Sequence, residues 1–341
     1  MKKKLFYVLV ITLFGVMFLS CKDHLIGIAL NNPTVQTQTD SWQLVRSSVN
    51  EGNYCDIFFA DENNGWATLS SGKIIHTTDG GTNWEYQQTP LNKLVYSVYF
   101  IDKTKGWACG ENKILSTTDG GKNWNIIFTD TLKSKFGLTD SSYKYYQQIA
   151  FVDEYIGFAV NESAELYRTT DGGYKWIKQK EWLNGGPASI SVVNDKCFVL
   201  TPSNNLFIST NKGLSWQEKS MDGINYVSSI KFSDENNGWL ITKISYNNTM
   251  EINSPVYITS DGGNTWQFSD SIPDLNLTSI DFTDKNNVWV SGIDGIYSFH
   301  NSKDGFQKSL TDRYFIDVFA LDAKHVWALG FNGRIYKLVN K

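Results

Sequence analysis

One phrase, Thr-Thr-Asp-Gly-Gly-x-x-Trp, returns along this chain and constrains its fold more than any single residue does. It runs from Thr77 to Trp84, from Thr117 to Trp124, from Thr169 to Trp176 and, with one Ser for Thr, from Thr259 to Trp266. A worn copy spans Ser209 to Trp216, with Asn211 in the aspartate position. A phrase that repeats at a near-constant interval requires a modular architecture, each copy marking one unit that cannot bury its apolar face alone.

A second motif precedes each box. It reads Phe59-Ala60-Asp61-Glu62-Asn63-Asn64-Gly65-Trp66-Ala67 in the first unit and Phe100-Ile101-Asp102-Lys103-Thr104-Lys105-Gly106-Trp107-Ala108 in the second. Variants stand at Phe151 to Ala159, Phe232 to Trp239, Phe282 to Trp289 and Asp322 to Ala328, with a decayed copy at Val193 to Phe198, giving seven units. Each unit reads as four short strands. An alternating run such as Asp56 to Phe59 is turned by Asp-x-Asn-Asn-Gly, a second strand opens at Gly-Trp-Ala, and a third (Lys73 to Thr77) is turned by Asp-Gly-Gly into a fourth at Trp84. Four strands per repeat with an aromatic and glycine signature describe a β-propeller blade. Residues 40–341 divided among seven units give about 43 residues per blade, a usual propeller period.

The ends of the chain fit one another. The seventh unit has strands at Ile316 to Leu321, Val326 to Leu329 and Arg334 to Val339, and no fourth. Trp42 to Arg46 resembles the strands that follow the boxes, so the N-terminal strand is expected to complete the last blade and close an all-β, seven-bladed ring.

Residues 1–20 are of another kind. Lys2-Lys3-Lys4 precedes an apolar run from Leu5 to Leu19, too short for a trusted membrane span and patterned as an export signal. Phe18-Leu19-Ser20-Cys21 resembles the lipobox of bacterial lipoproteins, which implies Cys21 as a lipidated first residue of the mature chain. Residues 21–39, polar apart from Leu25 to Leu30, read as a tether. The expected location is the bacterial cell envelope, on the outer membrane, periplasmic or surface-facing. Cys55, Cys109 and Cys197 lack metal-ligand spacing and read as small buried hydrophobes, although one pair could be bridged in an oxidising compartment.

The box pattern is that of the Asp-box, or bacterial neuraminidase repeat. With the Phe-x-Asp-x-x-x-Gly-Trp-Ala motif, the chain resembles the photosystem II stability/assembly factor family. That resemblance implies a seven-bladed propeller and a non-enzymatic assembly factor that binds membrane-protein subunits. It implies no photosystem client here: photosynthetic members carry an arginine cluster, whereas Arg46, Arg168, Arg313 and Arg334 read as spread over different blades.

The same reading sets aside several chemistries. Asp79, Asp119, Asp171 and Asp261 form one carboxylate per blade and never pair, as general acid–base work would need; a turn aspartate instead accepts backbone N–H bonds. Trp84, Trp124, Trp176, Trp216 and Trp266 read as inter-blade packing. Sialidase-type hydrolysis requires three arginines converging on one carboxylate, which the blade map does not allow. The segments beginning at Asp61 and Asp234 resemble calcium loops only faintly, and the histidines show no ligand spacing. With a net charge of -4 there is no footprint for nucleic acid, and no cofactor or metal is expected.

What remains is the face opposite the boxes. The loops entering the first strands carry Tyr54, Tyr96, Tyr145, Tyr146, Trp182, Tyr226, Arg313 and Tyr314. The two longest departures from the repeat, Thr131 to Gln147 and Ser245 to Ser254, fall there too. Tyr, Trp and Arg dominate interface hot spots, and loops on a rigid scaffold are where binding is placed. The expected function is a lipid-anchored propeller that docks a protein partner in the envelope; carbohydrate binding or hydrolysis on the same face is the alternative.

Overall fold

The computed structural model describes residues 40–339, apart from 49–50, 132–144, 164, 182–188, 202–203, 222, 244, 247–251, 275 and 301–303. The expected signal, Cys21, the expected tether, Trp182 and most of the Thr131 to Gln147 segment therefore lie outside the described residues.

Among the described residues the chain forms seven antiparallel sheets. The first strand, β1 (Trp42–Ser47), stands apart in sequence from its sheet. Blade 1 contains β2 (Tyr54–Phe59), β3 (Gly65–Leu69), β4 (Ile74–Thr77) and β5 (Glu85–Gln87). Blade 2 contains β6 (Ser97–Phe100), β7 (Gly106–Gly110), β8 (Lys113–Thr117) and β9 (Asn125–Thr129). Blade 3 is β10 (Tyr146–Phe151), β11 (Gly157–Asn161), β12 (Glu165–Thr169) and β13 (Ile177–Glu181). Blade 4 is β14 (Ser189–Val193), β15 (Lys196–Leu200), β16 (Asn205–Ser209) and β17 (Gln217–Ser220).

Blade 5 has β18 (Val227–Phe232), β19 (Gly238–Thr242), β21 (Ile252–Thr259) and β22 (Gln267–Ile272). A short extra strand, β20 (Ser245–Tyr246), pairs with β21, so the insertion expected at Ser245 to Ser254 lengthens a hairpin of this blade. Blade 6 is β23 (Leu277–Asp284), β24 (Asn287–Gly292), β25 (Ile296–Phe299) and β26 (Gln307–Leu310). Blade 7 is β27 (Phe315–Asp322), β28 (His325–Gly330) and β29 (Arg334–Leu338), with β1 as its fourth strand. The register Trp42↔Leu338 and Ser47↔Arg334 closes the ring as the sequence predicts. First strands touch first strands all the way round, from β2 through β6, β10, β14, β18 and β23 to β27 and back to β2.

The boxes are built as hairpin locks. In blade 2 the Thr117 hydroxyl donates to Asp119 Oδ1 at 2.8 Å and accepts the Gly121 N–H, also at 2.8 Å, while Asp119 Oδ1 accepts the Asn123 N–H at 2.9 Å. The worn copy keeps this geometry with Ser209 and Asn211. Gly80 and Gly81 adopt φ of 69° and 93°, the left-handed region that only glycine enters without cost. Each box turn also hydrogen-bonds to the first turn of its own blade, through Gly80 N–H to Asn63 O, Gly120 to Thr104, Gly172 to Tyr155 and Gly262 to Asn236. Both turns therefore share one face of the ring, here termed the box face; the loops between blades form the opposite, loop face.

The two sequence motifs meet between blades. The Gly-Trp-Ala tryptophan of one blade lies flat on the motif phenylalanine of the next, as in Trp66 on Phe100 with ring centroids 3.5 Å apart and Trp107 on Phe151 at 3.6 Å. The same indoles donate to a box-turn carbonyl of that next blade, Trp66 Nε1 to Gly120 O at 3.0 Å and Trp107 Nε1 to Gly172 O at 2.8 Å. The box tryptophans meet the phenylalanines edge-on, Trp124 against Phe100 at 5.8 Å and 82°. Cys109 and Cys197 are buried and Cys55 partly so, all three as free thiols.

Candidate functional site

The innermost strands present one side chain in two toward the ring axis, and there the polar groups act across blades. Asp56 Oδ2 accepts the Val98 N–H at 2.9 Å, Asp317 Oδ2 accepts that of Ile57 at 3.3 Å, and Asp281 Oδ2 accepts that of Ala320 at 3.1 Å. Ser191 and Gln148 do the same for Phe232 and Ile190. Each of these side chains grips the backbone of a neighbouring blade. Lys231 pairs with Asp281 at 3.3 Å, and Phe58 packs between Tyr99 and Phe319. Burial pushes the carboxyls of Asp56 and Asp317 upward, that of Asp317 well above the usual range. These groups are fully used in closing the ring. The sequence reading missed them, although Asp56 and Asp317 occupy one register and contact the next blade in the same way.

On the loop face the expected residues divide into three groups. Tyr54 and Tyr146 are 2% and 0% exposed, which corrects their placement on a binding face. Each opens a first strand with its ring turned between blades, Tyr54 accepting from Arg46 Nε at 2.9 Å and Tyr146 donating to Asp130 at 3.0 Å. Of the consecutive pair Tyr145 and Tyr146, strand alternation sends only the second inward. Tyr96 and Tyr145 meet edge-on at 6.3 Å across blades 2 and 3.

Tyr226, Arg313 and Tyr314 form the third group. Tyr226 is 61% exposed. Tyr226 and Tyr314 have φ of 57° and 61°, a conformation that is a genuine outlier for a bulky residue. A continuous backbone path joins them. Lys243 N–H donates to Tyr226 O at 2.7 Å, Lys243 bridges Asn276, Ile293 N–H donates to Asn276 O at 3.3 Å, and Tyr314 N–H donates to Ile293 O at 2.7 Å. Phe331 N–H then donates to Tyr314 O at 2.7 Å, and the two rings lie 6.1 Å apart. Beneath this ledge the buried Asp274 accepts the N–H groups of Asn276, Ile293 and Asp294. Lys243, Asp274, Ile293 and Phe331 were not singled out from the sequence, because only the register between blades 5, 6 and 7 brings them into line. Beside Tyr226 a groove of about 100 Å³ is lined by Gly223, Asn225, Thr242, Pro255 and Tyr257, smaller than a drug-sized ligand site.

The arginines require a second correction. Arg46 and Arg334 lie on adjacent strands of blade 7, and Arg313 lies in the loop that enters it, so three of the four share one blade edge. They still do not converge. Arg46 pairs with Glu51 at 2.7 Å on the side of blade 1, whereas Arg334 pairs with Asp312, which also takes the Tyr336 hydroxyl, on the opposite side of the sheet. Arg168 is on the box face, donating to Lys212 O at 2.7 Å. Two of the four guanidinium groups are thus committed to carboxylates of the chain itself, and no three face one ligand. The box-face turns follow the same logic: Asp61 Oδ1 accepts the N–H groups of Asn63 and Asn64, so its carboxylate is engaged in the turn.

Fold and site together define a seven-bladed β-propeller with interlocking box turns and one aromatic ledge. Over part of its length the chain is similar to the photosystem II assembly factor Ycf48. Residues 34–136 match the family model described as photosynthesis system II assembly factor YCF48, and residues 164–312 match one described as sortilin, neurotensin receptor 3. The photosystem II assembly lipoprotein Ycf48 of Prochlorococcus marinus is 27% identical over 229 residues. That match covers 64% of this chain and 65% of the relative, just under two thirds of its length. Among solved structures, YCF48 bound to D1 peptide superposes with a TM-score of 0.67 at 18% identity, over 91% of this chain and 99% of the other. YCF48 from Cyanidioschyzon merolae gives 0.66 at 18% identity, over 87% and 98%. The WD40 propeller domain of Doa1 gives 0.67 at 9% identity, over 89% and 98%, so these likenesses speak for the fold alone.

Proposed function

We propose that the chain is an exported, non-enzymatic propeller, anchored through lipid on Cys21 and a tether over residues 21–39, that docks a protein partner on its loop face. The observation that carries this reading is the ledge from Tyr226 through Ile293 to Tyr314 and Phe331. A tyrosine held at positive φ costs of order 1 kcal/mol, and Tyr226 nevertheless remains 61% exposed. An exposed tyrosine at one end of the ledge and a half-buried one beside the exposed Arg313 at the other are residue types that bind protein surfaces at low entropic cost. The name of the Prochlorococcus relative and the peptide held by the solved YCF48 support a role in assembly through protein contacts. The client of this chain is a polypeptide of its own envelope, engaged along the ledge. Committed arginines on opposite sides of blade 7 argue against sialidase chemistry.

A photocrosslinking amino acid at Tyr226, in cells, tests this reading. It is expected to yield a defined protein adduct that the same probe at Glu218, on the outer strand of blade 4, does not give. The adduct should vanish in an Arg313→Ala/Tyr314→Ala background. Identical adducts from both positions, or persistence in that background, would reject the ledge as the docking site. A glycan array probed with the same protein separates the carbohydrate alternative.

A further inference from the structure

The box face carries a patch that neither the blade locks nor the ledge explains. Tyr155, Tyr174 and Leu214 are 57%, 68% and 73% exposed. Tyr155 O accepts the Gly172 N–H at 2.9 Å, which sets it beside the box turn that bears Tyr174. Leu214 sits in the box turn of blade 4, and that turn leans back on blade 3. Arg168 Nε donates to Lys212 O at 2.7 Å, and Lys212 Nζ pairs with Asp153 at 3.1 Å, two residues before Tyr155. Tyr174 and Leu214 occupy the same box position, where blades 1, 2 and 5 have the polar Thr82, Lys122 and Asn264. Several charges around the patch are paired, Lys105 with Glu154 at 2.7 Å and Lys212 with Asp153 and Asp195, while Lys175 beside Tyr174 is exposed. Tyrosine and leucine exposed together amid largely paired charge form a surface suited to the boundary between lipid and water.

The path of the chain points the same way. β1 begins at the box face, since Trp42 pairs with Leu338 at the lower end of β29. Trp289 Nε1 donates to Asp40 Oδ2 at 3.2 Å, in the role that box carbonyls play for Trp66 and Trp107. Asp40, where the described chain begins, therefore lies at the box face, at blade 7. In a ring of seven, blades 3 and 4 each stand three blades from blade 7, one in either direction.

We infer that the box face lies against a lipid surface of zwitterionic headgroups, with Tyr155, Tyr174 and Leu214 seated among them at the edge opposite the tether. This rests on the lipid-anchor reading above. Two contacts at opposite edges hold the ring flat and turn the ledge away from the membrane, toward a partner. A tether alone keeps the ring near the bilayer without choosing which face meets it; the patch makes the choice.

The full lipidated chain, reconstituted in phosphatidylethanolamine–phosphatidylcholine vesicles carrying brominated acyl chains, tests this. An environment-sensitive fluorescent amino acid is placed at Tyr174 in one preparation and at Tyr226 in another. Quenching is expected at 174 and not at 226, and is expected to be lost at 174 in a Tyr155→Ser/Leu214→Ser background whose circular dichroism is unchanged. Flotation with the vesicles but equal quenching at both positions, or quenching at 226 alone, overturns the orientation and leaves the anchor standing. Flotation with quenching at neither position does the same and gives the patch to a protein partner instead. Failure of the wild-type chain to float overturns the anchored reading and this proposal with it.

Discussion

The indole of Trp327, in the last blade, lies flat on the ring of Phe59, in the first, with centroids 3.5 Å apart and planes 8° from parallel. The same indole donates its N–H to Gly80 O at 3.0 Å, so one side chain makes two of the contacts that join blade 7 to blade 1. Trp327→Ala is expected to cost about 3–5 kcal/mol, the range for a fully buried large aromatic. Trp327→Phe keeps the stack and orphans the carbonyl, at about 1–3 kcal/mol. Urea denaturation of the two variants checks the order.

The box aspartates act on hairpins. Asp119→Ala removes the acceptor of the Asn123 N–H and of the Thr117 hydroxyl and is expected to cost about 1–2 kcal/mol. Asp119→Asn should cost less than half of that, because Asn211 already fills the same role in blade 4. Neither change should alter partner crosslinking from Tyr226. Loss of the adduct at unchanged stability would return the boxes to function.

Asp317 gives the ring a dependence on alkaline pH. Its carboxyl is raised above the range it has in the unfolded chain, first by burial and then by the charge of Asp56. A raised acid contributes its stability fully below the unfolded value, near pH 4, and loses it as pH climbs toward the folded value. The contribution of Asp317 to wild-type stability is therefore expected to decline from about pH 4 upward. Asp317→Asn keeps an acceptor for the Ile57 N–H and gives Asp56 a permanent donor. It should remove that decline and raise the melting temperature at pH 8 by about 1–2 °C, the shift that roughly 1 kcal/mol gives a domain of this size. Calorimetry at pH 4 and pH 8 reads the difference.

Asp40 works in the opposite sense. Burial opposes its charge, but hydrogen bonds from His300 and Trp289 outweigh that effect and hold the carboxyl below its ordinary range. A lowered acid supplies stability above the unfolded value and loses it as pH falls through the folded one. Asp40→Asn should be less stable at pH 7 and lose less on acidification below about pH 4. A parallel acid titration of both proteins by circular dichroism shows whether the curves converge.

At Tyr226 stability and binding are expected to part. Glycine enters positive φ without strain, so Tyr226→Gly should leave the fold unchanged or stabilise it by up to about 1 kcal/mol. Co-purification of the protein captured by the Tyr226 crosslink should fall with the same substitution. Equal recovery by wild type and variant would mean the strain serves only the backbone turn.

The fold was legible because it is written seven times. Aromatic and glycine positions at a near-constant interval leave little choice of architecture, and the unmatched strands at the two ends predicted the closure of β1 on β29. The site was less legible, since each of its parts lies outside the repeat. Tyr54 and Tyr146 look like loop residues in the sequence, but each begins a strand whose alternation turns it inward. Arg46 and Arg334 seemed distant, and only the pairing of the first strand with the last makes them neighbours. Asp56, Asp281 and Asp317 were not singled out from the sequence, because nothing in it shows which neighbouring backbone each one meets. In a ring, the exposed side of the innermost strand is the axis, where a carboxylate meets the backbone of the next blade.

The strand that completes blade 7 is the first part of the propeller to be synthesised, and its partner β29 is the last. Trp42 to Ser47 must therefore remain unpaired for the whole time the other blades are being made, with an open backbone edge that any stray strand could take. A chain cut short anywhere before Arg334 leaves that edge exposed for good, so the ring reports on its own synthesis: β1 is covered only once β29 has been made.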